Sequence, residues 1–347
     1  MDQRPRRRPK EKQPALGLAD RAGWVSEELA HQLPRYEAAH QRALLMANYA
    51  MATNDHLAKR LYKCGHWLVF RHYYTVGLTK LIGADFCRLH LLCPMCAIRR
   101  SARLLRTTMA RLSTVIRADP TLQAYMVTLT VKDGGDLSER YHHLRRGIQA
   151  MLVARRLYIS NPAHRRHVEA VKAVGGLYSV EVKRGAGSGQ WHPHVHMVWL
   201  CHESPDARRL SDEWLRWTGD SYIVDVRPIS GSDKPLSGVV AVSGVVEVCK
   251  YAVKFHDLDP ADNWHVYQLL HHRRLVGSFG ALHGVDLDEE DTAADIPADI
   301  PWMDLIYRWF GGLNGHYRYQ RTIDHRDEVV KPLPRPNDTP RAPAAGV

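Results

Sequence analysis

The sequence contains no long apolar run, and this absence excludes several classes of protein. No segment approaches the roughly 18 consecutive apolar residues of a membrane-spanning helix. The basic N-terminus, with Arg4, Arg6 and Lys10, is not followed by the apolar stretch of a secretory signal peptide. We therefore expect a cytoplasmic protein that has no membrane partner.

Cysteine is also scarce, with six residues in a chain of 347. That number is too small for the disulfide framework of a secreted domain. Four of the six lie close together in the sequence, in the pattern of metal ligands. Their positions are Cys64, Cys87, Cys93 and Cys96.

Acidic side chains are outnumbered by basic ones, 37 to 48, which gives a formal net charge of +11 and a pI near 9.4. A cationic surface gains free energy when it displaces counterions from phosphates. The composition therefore favours nucleic acid as the partner. A basic surface with no ligand is the alternative.

The cysteine pattern predicts a structural zinc site. The two-residue spacing of Cys93-x-x-Cys96 lets both thiolates reach one tetrahedral ion at about 2.3 Å. Cys87 and Cys64 are the natural third and fourth ligands, and His66 and His90 compete with them for those roles. A redox-active CxxC motif is the rival interpretation, but such a motif has no need of further cysteines nearby.

A predicted strand over 191–200 carries histidines on one face. Side chains alternate along an extended chain, so His194 and His196 project together while Val195, Met197 and Trp199 point the other way. Two imidazoles on one side can hold one metal ion. The pair is a weak signal by itself, because a half-solvated strand face has the same pattern.

The strand before it, over 177–182, ends in the glycine-rich loop 185–189, and the pattern predicts a hairpin. Glu181 is an unusual acid in this strand. Its carboxylate could be the third ligand, favouring Mg²⁺ or Mn²⁺ over a closed zinc site. The alternative is a solvated residue at the sheet edge.

A predicted helix over 245–255 has an apolar stripe and a chemically rich face. Glu247, Lys250, Tyr251 and Lys254 share that face at spacings of three, four and seven. An ordinary amphipathic helix would look the same. Beside a metal held by histidines, however, these residues suit phosphoryl transfer, with a phenol as nucleophile, a lysine to offset charge and a carboxylate to activate water.

Several motifs together resemble a known family. Thr128-Leu129-Thr130, His192-Pro193-His194-Val195-His196 and Glu247-x-x-x-Tyr251-x-x-Lys254 are similar, in order, to the three motifs of rolling-circle plasmid replication initiators, the HUH endonucleases. The cysteine segment and Arg274–Gly280 resemble features of that family's zinc-containing branch. The combination of Glu247 with a single Tyr251 resembles the branch in which a glutamate replaces a second tyrosine.

The resemblance implies an α+β fold with a central antiparallel sheet, flanking helices and a zinc-braced N-terminal segment. It implies a metal-dependent, site-specific single-strand DNA endonuclease and strand transferase. Tyr251 would form a covalent 5′-phosphotyrosine intermediate, Glu247 would support termination and Lys254 would steady the phosphate. The implied partners are single-stranded or hairpin origin DNA, a host helicase and polymerase, and a second copy of the chain in a possible homodimer.

The basic helix that follows Cys96 is expected to lie along DNA phosphates. Arg99, Arg100 and Arg103 would make these contacts, together with Lys250. The alternative is a solvated helix face, which is the usual role of a run of charges.

The chain is expected to divide into five consecutive segments. They are a disordered basic arm (1–17), a helical and zinc-binding segment (18–120), the nickase core (121–285), an acidic loop with a capping helix over 301–312 (286–330) and a disordered tail (331–347).

Two other functions fit parts of the sequence. A zinc-containing DNA-binding regulator without catalysis would bind DNA but form no covalent product. A metal hydrolase of small substrates would use His194 and His196, but it leaves the basic charge and the Glu247 and Tyr251 face without a purpose.

Overall fold

The structure of the protein is a computed structural model that describes residues 29, 32–73, 76–229, 258–284 and 302–324. Its helices are α1 (Leu33–Met51), α2 (Asp55–Lys63), α3 (Pro94–Ala118), α4 (Leu137–Ser160), α5 (Ala207–Thr218) and α6 (Pro260–Leu270). Its strands are β1 (Trp67–Tyr73), β2 (Leu78–Ala84), β3 (Gln123–Thr130), β4 (Ala173–Arg184), β5 (Trp191–Cys201), β6 (Val224–Pro228), β7 (Val276–Gly280), β8 (Met303–Phe310) and β9 (His316–Asp324).

These elements form two compact units that alternate along the chain. The smaller unit contains the described residues within 1–38, 65–85 and 296–347, and the larger unit contains those within 39–64 and 86–295. The segments expected from the sequence run consecutively, whereas the two units do not. The expected arm, acidic loop and tail lie outside the described residues.

The larger unit is built on a five-stranded antiparallel sheet with the order β6-β3-β5-β4-β7. The histidine strand β5 lies at its centre, and the predicted hairpin of β4 with β5 is confirmed. In this hairpin Glu181 is directly opposite His194, and His194 is in turn opposite Thr130 of β3. The central position fixes the histidines on a rigid, doubly paired strand.

Helix α4 covers the sheet face opposite the histidines. Its Leu144, Ile148 and Met151 belong to one buried cluster with Val195 and Met197 of β5. Asp136 caps the N-terminus of the helix, and its side chain accepts a hydrogen bond from the backbone N–H of Glu139. The period-two pattern of β5 and the helical period of α4 therefore bury the same apolar core.

Helix α3 packs against the face that carries the histidines. Leu112 and the partly buried Leu104 join a second cluster with Leu177, Val198 and Leu200 of the sheet. Helices therefore cover both faces of the sheet. Because side chains alternate, Val198 and Leu200 share the face of His194 and His196, so α3 is anchored on that side.

The smaller unit is a four-stranded antiparallel sheet with the order β2-β1-β8-β9. The predicted capping helix over 301–312 is wrong, because Met303–Phe310 is the strand β8. Strands β1 and β2 were not anticipated within the segment expected to be helical. In this sheet Tyr307 and Tyr317 are buried and Tyr319 is 36% exposed.

The predicted α+β class is confirmed, with two antiparallel sheets and flanking helices. The basic helix expected after Cys96 corresponds to α3. Among the described residues, no helix combines the length and apolar character that spanning a membrane requires.

Candidate metal centres

Glu181, His194 and His196 form a compact group on the central strands of the larger unit. Oε2 of Glu181 lies 2.8 Å from Nε2 of His194 and 3.1 Å from Nε2 of His196. All three ligand atoms lie within 4.8 Å of one another. Glu181 and His194 are buried and His196 is partly exposed, so the group is open on the side of His196. The alternative of a solvated edge position for Glu181 is therefore wrong.

The remaining ring nitrogens of both histidines are held by neighbouring groups. Nδ1 of His196 lies 3.1 Å from Oγ1 of Thr128, and Nδ1 of His194 lies 3.2 Å from the carbonyl oxygen of His192. With a metal ion bound at both Nε2 atoms, the proton of each ring would lie on Nδ1 and be donated to these oxygens. Such outer contacts orient imidazole ligands and fix their tautomers.

The chemistry of this group fits a divalent ion. Metal bonds of about 2.0–2.3 Å place neighbouring ligand atoms about 3 Å apart, and the carboxylate oxygen of Glu181 lies at that distance from each histidine nitrogen. Burial would raise the pKa of Glu181, but the hydrogen bonds and charges of His194 and His196 lower it to about 2. The carboxylate is thus ionised and ready to bind a cation. Three protein ligands leave coordination positions for water or substrate.

A hydrogen-bonded group around Asp133 lies beside these ligands and was not predicted from the sequence. Nδ1 of His192 hydrogen-bonds to the carboxylate of Asp133, and the same carboxylate accepts a hydrogen bond from Ser188 of the hairpin loop. The rings of His192 and His194 are 5.2 Å apart. Asp133 thereby ties the end of the β4–β5 hairpin to the loop after β3. The alternation of side chains along β5 could not predict the contact between His192 and Asp133, because Asp133 lies on another part of the chain.

The four cysteines predicted as zinc ligands are brought together in the larger unit. The sulfur of Cys64 lies 3.3 Å from that of Cys93 and 3.6 Å from that of Cys96, and Cys87 lies 3.6 Å from Cys96. In a tetrahedral site with bonds of about 2.3 Å, the sulfur atoms would be about 3.8 Å apart. All four thiols are buried. Their donor set and spacing therefore fit one closed zinc site.

The backbone around the cysteines is shaped for thiolates. Arg88 adopts a left-handed conformation, with φ of 62°, and its N–H donates to the sulfur of Cys96 over 3.2 Å. Hydrogen bonds from Cys64, Cys87 and Cys93 lower the pKa of Cys96, with a further contribution from the N–H of Arg88. The group joins the end of α2, the loop at Cys87 and the start of α3. His66 and His90 are not members of it.

The arginines predicted to contact DNA lie on the exposed part of α3. Arg99, Arg100 and Arg103 are all exposed, and the guanidinium of Arg99 lies over the ring of Phe86. Arg100 also lines a cavity of about 230 Å³ with other basic side chains, which are His90, His271, His272 and Arg273. Burial and the charge of Arg100 lower the pKa of His90 to about 4. His90 is therefore uncharged at neutral pH, and the positive charge of this cavity comes from Arg100 and Arg273.

The predicted nucleophile and its neighbours are not among the described residues. Glu247, Lys250, Tyr251 and Lys254 all lie within 230–257, outside the ranges that the structure describes. Their roles therefore stay predictions. The structure describes the chain up to Ile229 and again from Leu258.

Comparison with known proteins identifies the family. A model of the Rep_1 family, described as replication protein, matches residues 78–300, well over half of the chain. The chain belongs to this family. Membership confirms the predicted relation to rolling-circle plasmid replication initiators.

Two relatives are similar to this chain over most of their length. A "Protein rep" of Streptococcus pneumoniae serotype 2 is 28% identical over 240 residues, which cover 65% of this chain and 69% of the relative. A "Protein rep" of Bacillus amyloliquefaciens is 24% identical over 282 residues, covering 70% and 78% of the two chains. No solved structure matches the chain significantly.

Proposed function

We propose that this plasmid replication initiator nicks one strand of its origin through a covalent 5′-phosphotyrosine intermediate, and later rejoins or releases the strand. The observation that carries the proposal is the buried group of Glu181, His194 and His196, assembled on paired central strands. A replication initiator binds origin DNA, so membership of the replication protein family supports origin DNA as the substrate.

Glu181, His194 and His196 would hold a divalent ion, Mg²⁺ or Mn²⁺, with two imidazole nitrogens and one carboxylate oxygen. When bound, such an ion polarises a phosphate and stabilises the charge that develops on its oxygens. Thr128 and the carbonyl of His192 keep both rings oriented for this purpose. Burial of Glu181 and His194 limits competition from water.

Tyr251 would be the nucleophile. Its phenol gives up a proton to water as the oxygen attacks the scissile phosphorus. The bond between phosphorus and the 3′ oxygen breaks, and that oxygen takes up a proton from water to leave a 3′ hydroxyl. The phosphorus is then bonded to the oxygen of Tyr251 and keeps its bond to the 5′ oxygen of the DNA. The released 3′ hydroxyl then primes synthesis by host enzymes. Lys254, one turn along the predicted helix, would offset the charge on the phosphate.

Glu247 would act at the end of the cycle. A carboxylate four residues before Tyr251 on a helix lies on the same face and can accept a proton from water. Water activated in this way cuts the regenerated origin without leaving a second covalent complex. A single tyrosine would then suffice for initiation and termination.

The exposed arginines of α3 would hold the DNA backbone. Arg99, Arg100 and Arg103 follow the four-cysteine group, which would fix the start of their helix when zinc is bound. Helix α3 packs on the sheet face of the histidines, so its phosphate contacts would be on the side of the metal-binding group. Lys250 is proposed to add a further contact. This arrangement supports a function in binding and cleaving the same DNA.

Exchange of Tyr251 for Phe tests the proposal. The substitution removes the phenolic oxygen and keeps the ring, so we expect no covalent adduct between protein and an origin oligonucleotide in the presence of Mn²⁺. The adduct is measured by denaturing gel electrophoresis of labelled single-stranded DNA. An adduct as abundant as that of the wild type would refute the assignment of Tyr251.

Tyr222 offers a matched control for this experiment, because it is 63% exposed and has no proposed role. The Tyr222→Phe variant should form the adduct at the wild-type level. If wild-type protein bound origin DNA tightly but formed no adduct with any divalent metal, the non-catalytic regulator would become the better description.

Exchange of Glu247 for Ala should separate the two halves of the cycle. First-strand nicking depends on Tyr251 and should change little, whereas termination should fall by about a hundredfold or more, the usual contribution of a general base. The two activities can be followed on substrates with one and two origin sites. Equal loss of both activities would contradict a separate role for Glu247.

A further inference from the structure

The sheet of the smaller unit carries a row of alternating aromatic rings and guanidinium groups. The guanidinium carbon of Arg308 lies 5.1 Å from the ring centre of Trp67 and 5.4 Å from that of Phe310. Arg318 lies 5.2 Å from the ring of Phe310. The row of Trp67, Arg308, Phe310 and Arg318, here called the aromatic–arginine row, crosses strands β1, β8 and β9.

The strand register places the row on one face. Trp67 is paired with Arg308, and Arg308 is paired with Arg318, so the three side chains project to the same side. Tyr307, the neighbour of Arg308 in β8, points to the other side, where it packs edge-on against Phe70. Tyr307 and Phe70 are thus packed on one face of the sheet, and the side chains of the row lie on the other face.

The aromatic–arginine row is accessible and positively charged. Trp67 is 37% exposed, Arg308 and Arg318 are exposed, and Phe310 is half-buried. Two carboxylates lie near the row: Asp304, which Arg71 binds through two hydrogen bonds of 2.8 and 3.0 Å, and the exposed Asp85 directly after β2, whose charge acts on His66. Arg308 and Arg318 have histidine neighbours instead, at 3.4 and 3.0 Å. Within the described residues, neither Arg308 nor Arg318 forms an ion pair with an acid, so both guanidinium groups can bind phosphate.

This combination fits one class of ligand. Bases of a single strand stack on aromatic rings whatever their sequence, and guanidinium groups bind phosphates and also stack on bases. A duplex would keep its bases stacked on each other and could not use the rings of Trp67 and Phe310. The spread of the row over three strands suits an extended strand better than a compact ligand.

We propose that the aromatic–arginine row binds single-stranded DNA without sequence preference. Bases stack on Trp67 and Phe310, and Arg308 and Arg318 contact the backbone phosphates. Such a surface would give the protein a second DNA-binding site, in the smaller unit, that belongs to neither metal group. The inference is independent of the nicking chemistry, because it concerns binding alone.

The test measures the affinity of the full-length protein for a labelled non-origin oligonucleotide of thymidines by fluorescence anisotropy. Removing both rings in a Trp67→Ala, Phe310→Ala variant should weaken binding by at least tenfold, since each stacked base contributes substantially. Replacing Arg308 and Arg318 by Ala should reduce the slope of log affinity against log salt by about 0.7 for each arginine. Binding to duplex DNA should change little in the double aromatic variant.

Tyr319 provides the matched control. It has nearly the same exposure as Trp67, 36%, but pairs with Tyr307 and so lies on the opposite face of the sheet. The Tyr319→Ala variant should bind the oligonucleotide as tightly as the wild type. Equal losses in the two variants, or a loss that is the same for duplex DNA, would overturn the proposal.

A second measurement covers the case in which the aromatic variant does not fold. Wild-type protein is irradiated with an oligonucleotide that contains 5-iodouracil, and the crosslinked peptide is identified by mass spectrometry. Crosslinks to Trp67 or Phe310 support the proposal, and crosslinks confined to other residues overturn it. Failure of nicking by wild-type protein would not affect either result, so the two proposals can fail separately.

Discussion

Exchange of Glu181 for Gln is expected to reduce Mn²⁺-dependent nicking of origin DNA by about a thousandfold. The amide keeps the size of the side chain but removes the negative charge that lies 2.8 and 3.1 Å from the two histidine nitrogens. A metal ion contributes several kcal/mol of transition-state stabilisation, and about 4 kcal/mol corresponds to a factor of a thousand in rate. Excess Mn²⁺ should restore part of the activity.

Initial nicking rates over a series of Mn²⁺ concentrations measure this effect, and thermal unfolding with and without Mn²⁺ measures binding itself. Wild-type protein should be stabilised by the ion, because a ligand of the folded state raises its free energy of unfolding, and the variant should respond less. Glu203→Gln is the control, since it removes the same charge from an exposed side chain. Unchanged rate and metal response in Glu181→Gln would contradict the proposed ligand set.

Exchange of Cys93 for Ser is expected to release zinc and unfold much of the larger unit. Structural zinc sites contribute apparent binding free energies of about 10–16 kcal/mol, whereas a whole domain is usually stable by about 5–15 kcal/mol. The four thiols also join the end of α2 to the start of α3, so their loss should free both helices. Zinc content per chain and far-UV circular dichroism measure the two consequences.

Cys201 is the natural control, because it is also buried in the larger unit but is not part of the four-thiol group. The Cys201→Ala variant should keep one zinc ion per chain and lose only the modest stability of a small buried truncation. If Cys93→Ser kept both its zinc and its circular dichroism, the structural role of the group would be wrong.

The two candidate groups of metal ligands could be predicted from the sequence because their signals are local. Alternation along β5 places His194 and His196 on one face regardless of what surrounds the strand. The CxxC spacing brings Cys93 and Cys96 together in a single turn. The third member, Glu181, depended on the register of the hairpin, which the sequence could not fix, and the structure supplies it through the pairing with His194.

Strand β8 was predicted as a helix for a physical reason. It lies between β1 and β9 and is buried on both faces over most of its length, so its sequence has no clear alternation. Trp302, Leu305, Ile306 and Trp309 then happen to follow a helical spacing. The short length of the run and its aromatic content are the signals that favoured a strand.

The partner of β8 could not be found from local patterns. β8 pairs with β1, which lies near the other end of the chain, and the residues of the larger unit intervene. Such non-local pairings are decided by the burial of complete sheets rather than by the sequence of either strand. The aromatic–arginine row depends on this pairing. Its residues come from three strands that are far apart in the sequence, so no local pattern predicted the row.

The most direct test of the nicking proposal is to map the covalent bond between protein and DNA. Wild-type protein is incubated with origin single-stranded DNA and Mn²⁺, then digested, and the nucleotide-bearing peptide is sequenced by mass spectrometry. We predict a 5′-phosphoryl nucleotide on Tyr251. A bond to any other residue, or through the 3′ phosphate, would contradict the proposal.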